Sequence, residues 1–437
     1  ASSIEKAMTS PEEILIDRSP GETRAVVISD GIVIDLAIER PRSMSRVGEI
    51  VLARATSVRD RGRIAFLDIG NESALLEGAG IVEGAAVLVQ MTRDRKGDKA
   101  PKAGTAIDLQ GRYMVLTPTR PGISLSSRIT NKAERKRIRG GLEDVVTDDL
   151  GVVARSLARG VDSEVLRREA DELIGLWLRI KQDVEVAVPP AVLLRSPGPI
   201  AALLDRYPDT LVTESRDGVL LAERGIVDEI ETLLSSKVNI PGGGELVIER
   251  TEALVAIDIN TAEGFADGSG LLEFNLRAAR EVVRQICLRG LSGLIVVDFP
   301  RLARPSDREQ VLEQIRSSLV EDPWGSITHG WTRAGLFEIT RRRVQAGPAE
   351  TMLRQPGEPG PSAETLAYEA LRYALRETVG IARPRLVVAP GVAAFLKGPG
   401  AEALTETNRR LGGSLALEGR SGYERTRMEI EDEGRDG

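Results

Sequence analysis

The sequence is short of the side chains that most often do chemistry. Its 437 residues include one cysteine, Cys287, and one histidine, His329. A single thiol excludes an intrachain disulfide and any cysteine-rich zinc site. A single imidazole excludes multi-histidine metal centres and leaves Ser–His or Cys–His catalysis without support. In the run THGWTRAG, His329 reads as a satisfied structural histidine. Any metal must therefore have oxygen ligands, which points to magnesium or manganese. Aromatic residues make up only 3%. Lysine is scarce as well: nine of the 59 basic residues are lysine and the other fifty are arginine. That bias suits bidentate phosphate binding, and a GC-rich coding sequence would produce it equally. Apolar runs are short, as in GLIVV before Asp298, and none approaches the ~20 residues of a membrane span. The opening ASSIEKAMTS has no basic stretch followed by an apolar one, so no secretory leader is expected. A net charge of −7 weighs mildly against nucleic acid, although local charge matters more than the total.

What is present reads as a globular multi-domain α/β chain, with 41% hydrophobic and 29% charged residues. Residues 22–39 form a hairpin around Asp30-Gly31. Residues 47–117 break into short strands (GEIVLARATSV, RIAFLDIG, SALLEG, AAVLVQMTRD) separated by Gly, Asp and Asn turns, the pattern of a small closed barrel. GRYMVLTP (111–118) adds a strand stopped by Pro118. Helical spacing is expected over 132–149, 163–185, 224–236, about 271–289 and 306–319, the last capped by Ser306 or Asp307. GLFEITRRR (335–343) is strand or helix. Residues 345–363 are dense in Pro and Gly and read as a linker. A small α+β unit follows, with a charged tail from Tyr423 that reads as partly disordered.

The clearest chemical signal is a pair of acids. Asp258 ends ALVAIDIN and Asp298 ends GLIVVDF, each closing a β-branched apolar run of the kind buried in sheets. A helical segment lies between them. Strand–helix–strand predicts parallel neighbours with both acids at the carboxyl ends, the edge where ligands bind in open α/β sheets. Asn260 follows Asp258 by two residues and points to the same side. Two close carboxylates repel unless a proton or cation compensates, and a hard divalent ion would favour metal-assisted phosphodiester hydrolysis. An aspartate closing a buried strand also serves as a plain turn or helix cap, and the spacing alone leaves both readings open.

RTEALVAIDIN, the NL of EFNLRAARE, RQICLRGLSGLIVVDF and GLFEITRRR together resemble the catalytic core of the ribonuclease E/G family. The resemblance continues in order: GRIAFLDIGNES and KGDKAPKAGTAIDLQGRYMVLTP are similar to its RNA-binding barrel, GVVARSLA to its monophosphate-sensing segment, KVNIPGGGELVIERTEAL to the lead-in to catalysis. It implies an OB-fold RNA-binding barrel (44–117) inserted in an RNase H-like unit. That unit comprises an N-terminal β segment (1–43) and a 5′-phosphate sensor (118–195). It further implies a DNase I-like catalytic unit (196–345), a linker (346–363) and a small C-terminal α+β domain (364–437). By position, Asp258 and Asp298 match two aspartates that hold one magnesium ion, with manganese as the alternative, and Asn260 matches the asparagine beside them. Arg155, Ser156 (threonine in the family), Gly111 and Val115 match the 5′-monophosphate pocket. Phe66 and Lys99 match groups that touch RNA. Read by themselves, Phe66 suits a strand core, Arg155 a structural ion pair, and Lys99 a solvated loop. Arg341, Arg342, Arg343, Arg135 and Arg137 could track an RNA backbone, although solvated faces are the commoner meaning of such runs.

Three departures stand out. The zinc-link cysteines expected near 345–362 are absent, so no zinc and no zinc-mediated pairing is expected, although subunits can still associate in other ways. The second barrel aromatic is Leu75. The acid usually found three positions after the second aspartate is Arg301. The resemblance thus implies a magnesium-dependent endoribonuclease of the cytoplasm that cuts single-stranded RNA, stimulated by a 5′-monophosphate, in RNA decay or in ribosomal and transfer RNA maturation, with no membrane partner. The alternatives are an RNA-binding paralogue with weak or no nuclease activity and, third, a phosphoesterase of small substrates.

Overall fold

The computed structural model describes residues 11–432 except 79, 96–98, 127–128, 147–148, 262–269, 320–321, 323–324, 344–345, 355–357 and 359. The chain divides into two compact units, Ser45–Gly198 and the combination of Ala1–Met44 with Pro199–Gly437. Among the described residues no helix is long and apolar enough to cross a membrane.

In Ser45–Gly198, strands Ile50–Arg59, Ile64–Asp68, Ser73–Glu77, Lys102–Gly104 and Ala86–Arg93 pair in that order. The first also pairs with the last, closing an OB-like five-stranded barrel. A barrel of so few strands has a narrow bore, and its interior is accordingly lined by Ala53, Ala55, Ala65 and Ala74 beside Leu67, Leu76, Val89 and Met91. A second sheet orders Gly122–Leu125, Gly151–Ala154, Met114–Thr117 and Leu109–Gln110. Helices Lys132–Leu142 and Ser163–Val186 share its core through Ile138, Leu166, Ala170 and Trp177. Asn131 caps the first, accepting from the Ala133 and Glu134 N–H groups at 2.9 and 3.1 Å, and Asp162 caps the second. The strand expected over 111–118 is shorter, Met114–Thr117, because 111–113 turn to meet a side chain from the long helix. The helix expected over 132–149 also stops early, at Leu142, followed by one 3₁₀ turn, Glu143–Val145.

The other unit opens on the expected hairpin: Glu22–Ser29 pairs with Ile32–Glu39 across Asp30 (φ 48°) and Gly31 (φ 73°). Glu13–Ser19 extends this sheet, flanked by Leu211–Ser215 in parallel. A six-stranded sheet follows in the order Lys237–Asn239, Glu245–Arg250, Leu254–Asn260, Gly293–Asp298, Phe337–Arg341, Ser326–Trp331. GLFEITRRR therefore forms a strand. Only the central pair is parallel, as a strand–helix–strand connection requires. Helices Leu271–Leu288 and Pro305–Ser318 bury Phe274, Val282, Ile286, Val311 and Ile315 against Val255, Ile257, Ile259, Ile295 and Val297 of this sheet.

Several expectations are corrected. The helix over 224–236 is only Val227–Thr232, preceded by a separate turn Leu220–Glu223, because Gly225 takes φ 68° between them. Neither Ser306 nor Asp307 caps the helix after Asp298. Arg304 holds that position without a side-chain bond, and Pro305 starts the helix. Within the Pro/Gly-rich stretch, Pro348–Met352 is a short helix with Pro348, Ala349 and Met352 buried. The charged tail contributes a strand, Met428–Asp432, antiparallel to Pro384–Val388, its Glu431 and Glu429 engaged by Arg420 and Arg427. Helix Pro390–Lys397, too short to show a period in the sequence, buries Val392, Ala393 and Leu396 in the core of this unit.

Candidate active site

The site follows from the central parallel pair. In the ladder between Leu254–Asn260 and Gly293–Asp298, Asp258 stands directly opposite Asp298. Neighbouring strands lie about 4.8 Å apart, and facing residues send their side chains to one side. Ile257, Ile259 and Val297 point into the helix-covered core, so Asp258, Asn260 and Asp298 emerge on the opposite face, where all three are exposed. Asn260 Nδ2 donates to Asp258 Oδ2 at 3.1 Å, orienting that carboxylate. Among the described residues no lysine or arginine pairs with either acid, and Asp298 accepts no hydrogen bond. The hairpin leading in passes so close to Asn260 that a Cβ on Gly244 (φ 93°) would stand 2.6 Å from the Asn260 carbonyl oxygen. Only glycine fits there.

The donor set is two carboxylates and a carboxamide, with no nitrogen or sulfur ligand. That chemistry suits magnesium, which takes one or two protein carboxylates and keeps its waters. Among the described residues no cluster of three or more His, Cys, Asp or Glu side chains forms a protein cage for a metal. His329 lies on the exposed face too, with Nε2 2.8 Å from Thr340 Oγ1. Thr340 pairs with Leu294, four residues or roughly 13 Å back along the strand from Asp298, too far to join the pair. Arg301 is exposed. Arg341 is not solvated as its sequence context suggested: it is buried, with Nη2 and Nε 2.8 and 3.0 Å from Asp322, and it also caps the Leu291 carbonyl at 2.9 Å.

In the other unit, Phe66 faces out of the barrel rather than into its core, with Arg59 over its ring at 5.1 Å. The register sets Ser57, Phe66, Leu75, Lys102 and Arg93 in one row across the outer surface. Lys102 bonds Glu77 at 2.5 Å. Arg59, Lys102 and Arg93 could not be read from the linear pattern, because cross-strand register depends on turns and bulges that such a pattern does not fix. Lys99 is exposed.

The four remaining residues come together. Strand Gly151–Ala154 pairs with Met114–Thr117, delivering Arg155 and Ser156 beside the turn that starts at Gly111. The Arg155 N–H donates to the Tyr113 carbonyl at 2.7 Å, and the Gly111 N–H to the Met114 carbonyl at 2.8 Å. Val115 sits next in the strand, opposite Val153. The Arg155 guanidinium reaches Gln110 Oε1. Burial lowers the Arg155 pKa, and the charge of Glu169 offsets part of that effect. Glu169 was missed: it lies at the edge of the apolar stripe Leu166, Ala170, Leu173, Trp177, where an acid in a helix normally reads as solvated.

Comparison with known proteins identifies the lineage. The Ribonuclease E/G family profile matches residues 108–215 and 208–344, more than half of the chain, and the chain belongs to that family. It is 28% identical to Ribonuclease G of Haemophilus influenzae over 83% of this chain and 87% of the relative. It is 26% identical to Ribonuclease G of Escherichia coli K12 over 93% and 96%. A Ribonuclease E/G-like chloroplastic protein of Arabidopsis thaliana is 31% identical over 63% of this chain and 32% of its own length.

Proposed function

We propose that this protein is an endoribonuclease that hydrolyses phosphodiester bonds of single-stranded RNA in the cytoplasm, in RNA processing or decay, with the centre at Asp258, Asn260 and Asp298. The observation that carries the reading is the direct facing of two exposed carboxylates across a parallel ladder, with an amide oriented beside them. Such a pair is electrostatically unfavourable by itself and fits a site built for a cation. Asp258 and Asp298 would hold magnesium, which when bound supplies positive charge at the scissile phosphate and a more acidic water. Asn260 fixes the Asp258 carboxylate through its Nδ2 and presents its carboxamide on the side where a phosphate would lie.

The other unit supports RNA as the substrate. Phe66 offers a ring for base stacking, a contact worth about 1–3 kcal/mol and tolerant of sequence. We read Arg155, Ser156, Gly111 and Val115 as the groups that take a terminal phosphate, whose charge exceeds that of an internal one, so a 5′-monophosphate is read as a stimulus. We read the barrel as an OB fold, its neighbouring sheet and the N-terminal hairpin as parts of an RNase H-like unit, and the six-stranded sheet as DNase I-like. The test is magnesium-dependent cleavage of a fluorescent single-stranded oligonucleotide by wild type beside Asp258→Ala. Loss of product with RNA binding retained is expected. An unchanged rate would remove the site assignment, and RNA binding without metal-dependent product in the wild type would make the chain an RNA-binding paralogue.

A further inference from the structure

The turn Gly111–Met114 holds an anion already. Three consecutive backbone N–H groups, of Arg112, Tyr113 and Met114, converge on the carboxylate of Glu169. Tyr113 donates to Oε2 at 2.9 Å, Met114 to Oε2 at 3.1 Å, and Arg112 to Oε1. Successive N–H groups aimed at one point form a nest, a concavity selective for anions. The fit is tight: a Cβ on Gly111 would stand 2.8 Å from Glu169 Cδ and 2.9 Å from Oε1. The turn therefore exists in this form because residue 111 has no side chain and residue 169 has a charged one. Glu169 comes from the helix Ser163–Val186, anchored in the core by Leu166 and Ala170, both fully buried. The carboxylate thus ties a surface turn to a rigid element.

The same turn carries the pocket. Gly111 and Val115 flank the nest, the Tyr113 carbonyl holds the Arg155 N–H, and Gln110 just before it receives the Arg155 guanidinium. Gly111, Val115 and Arg155 are thus each part of, or bonded to, the segment that Glu169 fixes. We propose that Glu169 is the positioning residue of this pocket: its carboxylate, seated on the three N–H groups, sets the conformation of the turn against which Arg155 faces an incoming 5′-phosphate. The inference rests on reading the pocket as a 5′-monophosphate site. Glu169 acts through the turn. Glutamine cannot replace it, because its NH₂ would face N–H donors.

The experiment compares two single-stranded RNA oligonucleotides of one sequence, one with a 5′-monophosphate and one with a 5′-hydroxyl. The ratio of their kcat/KM values is measured with magnesium, and the ratio of their Kd values without it. In Glu169→Gln the monophosphate advantage is expected to fall about tenfold, the scale of a hydrogen bond to a charged group. The rate on the 5′-hydroxyl RNA, which does not use the pocket, stays near that of wild type. A merely structural loss would lower both substrates together. Glu169→Ala, which leaves the three N–H groups without their acceptor, gives a loss at least as large on the monophosphate RNA alone. A monophosphate advantage that survives Glu169→Gln, or a parallel fall on both RNAs, overturns the role of Glu169. A wild type that cleaves RNA without any monophosphate advantage overturns the pocket reading as well.

Discussion

Replacing Asp298 by asparagine should make the metal-free protein more stable while destroying its chemistry. Asp298 faces Asp258 across a parallel ladder. Two unit charges about 4.8 Å apart repel by about 1 kcal/mol in a water-like dielectric and by about 3.5 kcal/mol at an effective dielectric constant of 20. Both side chains are exposed, so the smaller figure applies. In the unfolded chain the two acids lie forty positions apart and hardly interact. Asp298 accepts no hydrogen bond among the described residues, so an isosteric amide removes the charge and little else. The expected gain of about 1 kcal/mol raises Tm by about 2–4 °C for a domain of this size. The assay is thermal melting in EDTA at low and high salt. The gain shrinks at high salt, because exposed charges are screened. Adding magnesium inverts the order: at a hundredfold excess over Kd it stabilises wild type by about 2.7 kcal/mol and leaves Asp298→Asn unmoved. A variant that melts at or below wild type in EDTA at low salt would refute the reasoning.

Gly244→Ala forces a Cβ to within 2.6 Å of the Asn260 carbonyl at φ 93° and should destabilise by about 1–3 kcal/mol, read from the urea midpoint, with a loss of cleavage that a surface glycine substitution does not cause. Burial alone would push the Glu22 carboxyl up, but the charges of Arg24, Arg40 and Arg372 outweigh it and hold its pKa well below the ordinary 4.5. A depressed carboxyl stabilises fully above that ordinary value and loses its contribution as pH falls toward the folded-state value. Glu22→Gln should therefore be less stable at pH 7 and flatter in stability below about pH 4.5; parallel pH curves for the two proteins would contradict this. Phe66→Ala should weaken metal-free binding of single-stranded RNA by about 1–3 kcal/mol, and Leu75→Phe, in the same outward row, should strengthen it. An unchanged Kd in both would take the barrel row out of RNA binding.

The facing acids were legible because each ends a β-branched run, and the helix between them forces a parallel pair. Their exposure was legible too, since period-2 alternation sends Asp258 and Asn260 away from Ile257 and Ile259. What the sequence hid depends on register or on distant partners. Arg59, Lys102 and Arg93 join Phe66 only through a bulged ladder. Arg341 reads as surface beside two more arginines, yet Asp322 and the ends of neighbouring elements bury it. The last strand, Met428–Asp432, looked like a charged tail because its acids are matched by Arg420 and Arg427 across space rather than by neighbours of alternating polarity. The late start of the helix expected at 224–236 shows a local rule overriding a periodic one: the left-handed Gly225 separates Leu220–Glu223 from Val227–Thr232.

The buried cluster around Glu22 has a bearing on biosynthesis. Arg24 meets Glu369 across 345 positions of sequence, and Arg372 reaches the Glu22 carboxylate at 2.8 Å. At a translation rate of about 5–20 residues per second, the first hairpin waits roughly 20 to 70 s on the ribosome before its ionic partners emerge. Meanwhile the intervening unit, Ser45–Gly198, contains its own cores and can assemble while its flanks stand by. The order of synthesis and the order of folding thus differ: the hairpin is made before Ser45–Gly198, yet its ionic partners are made after it.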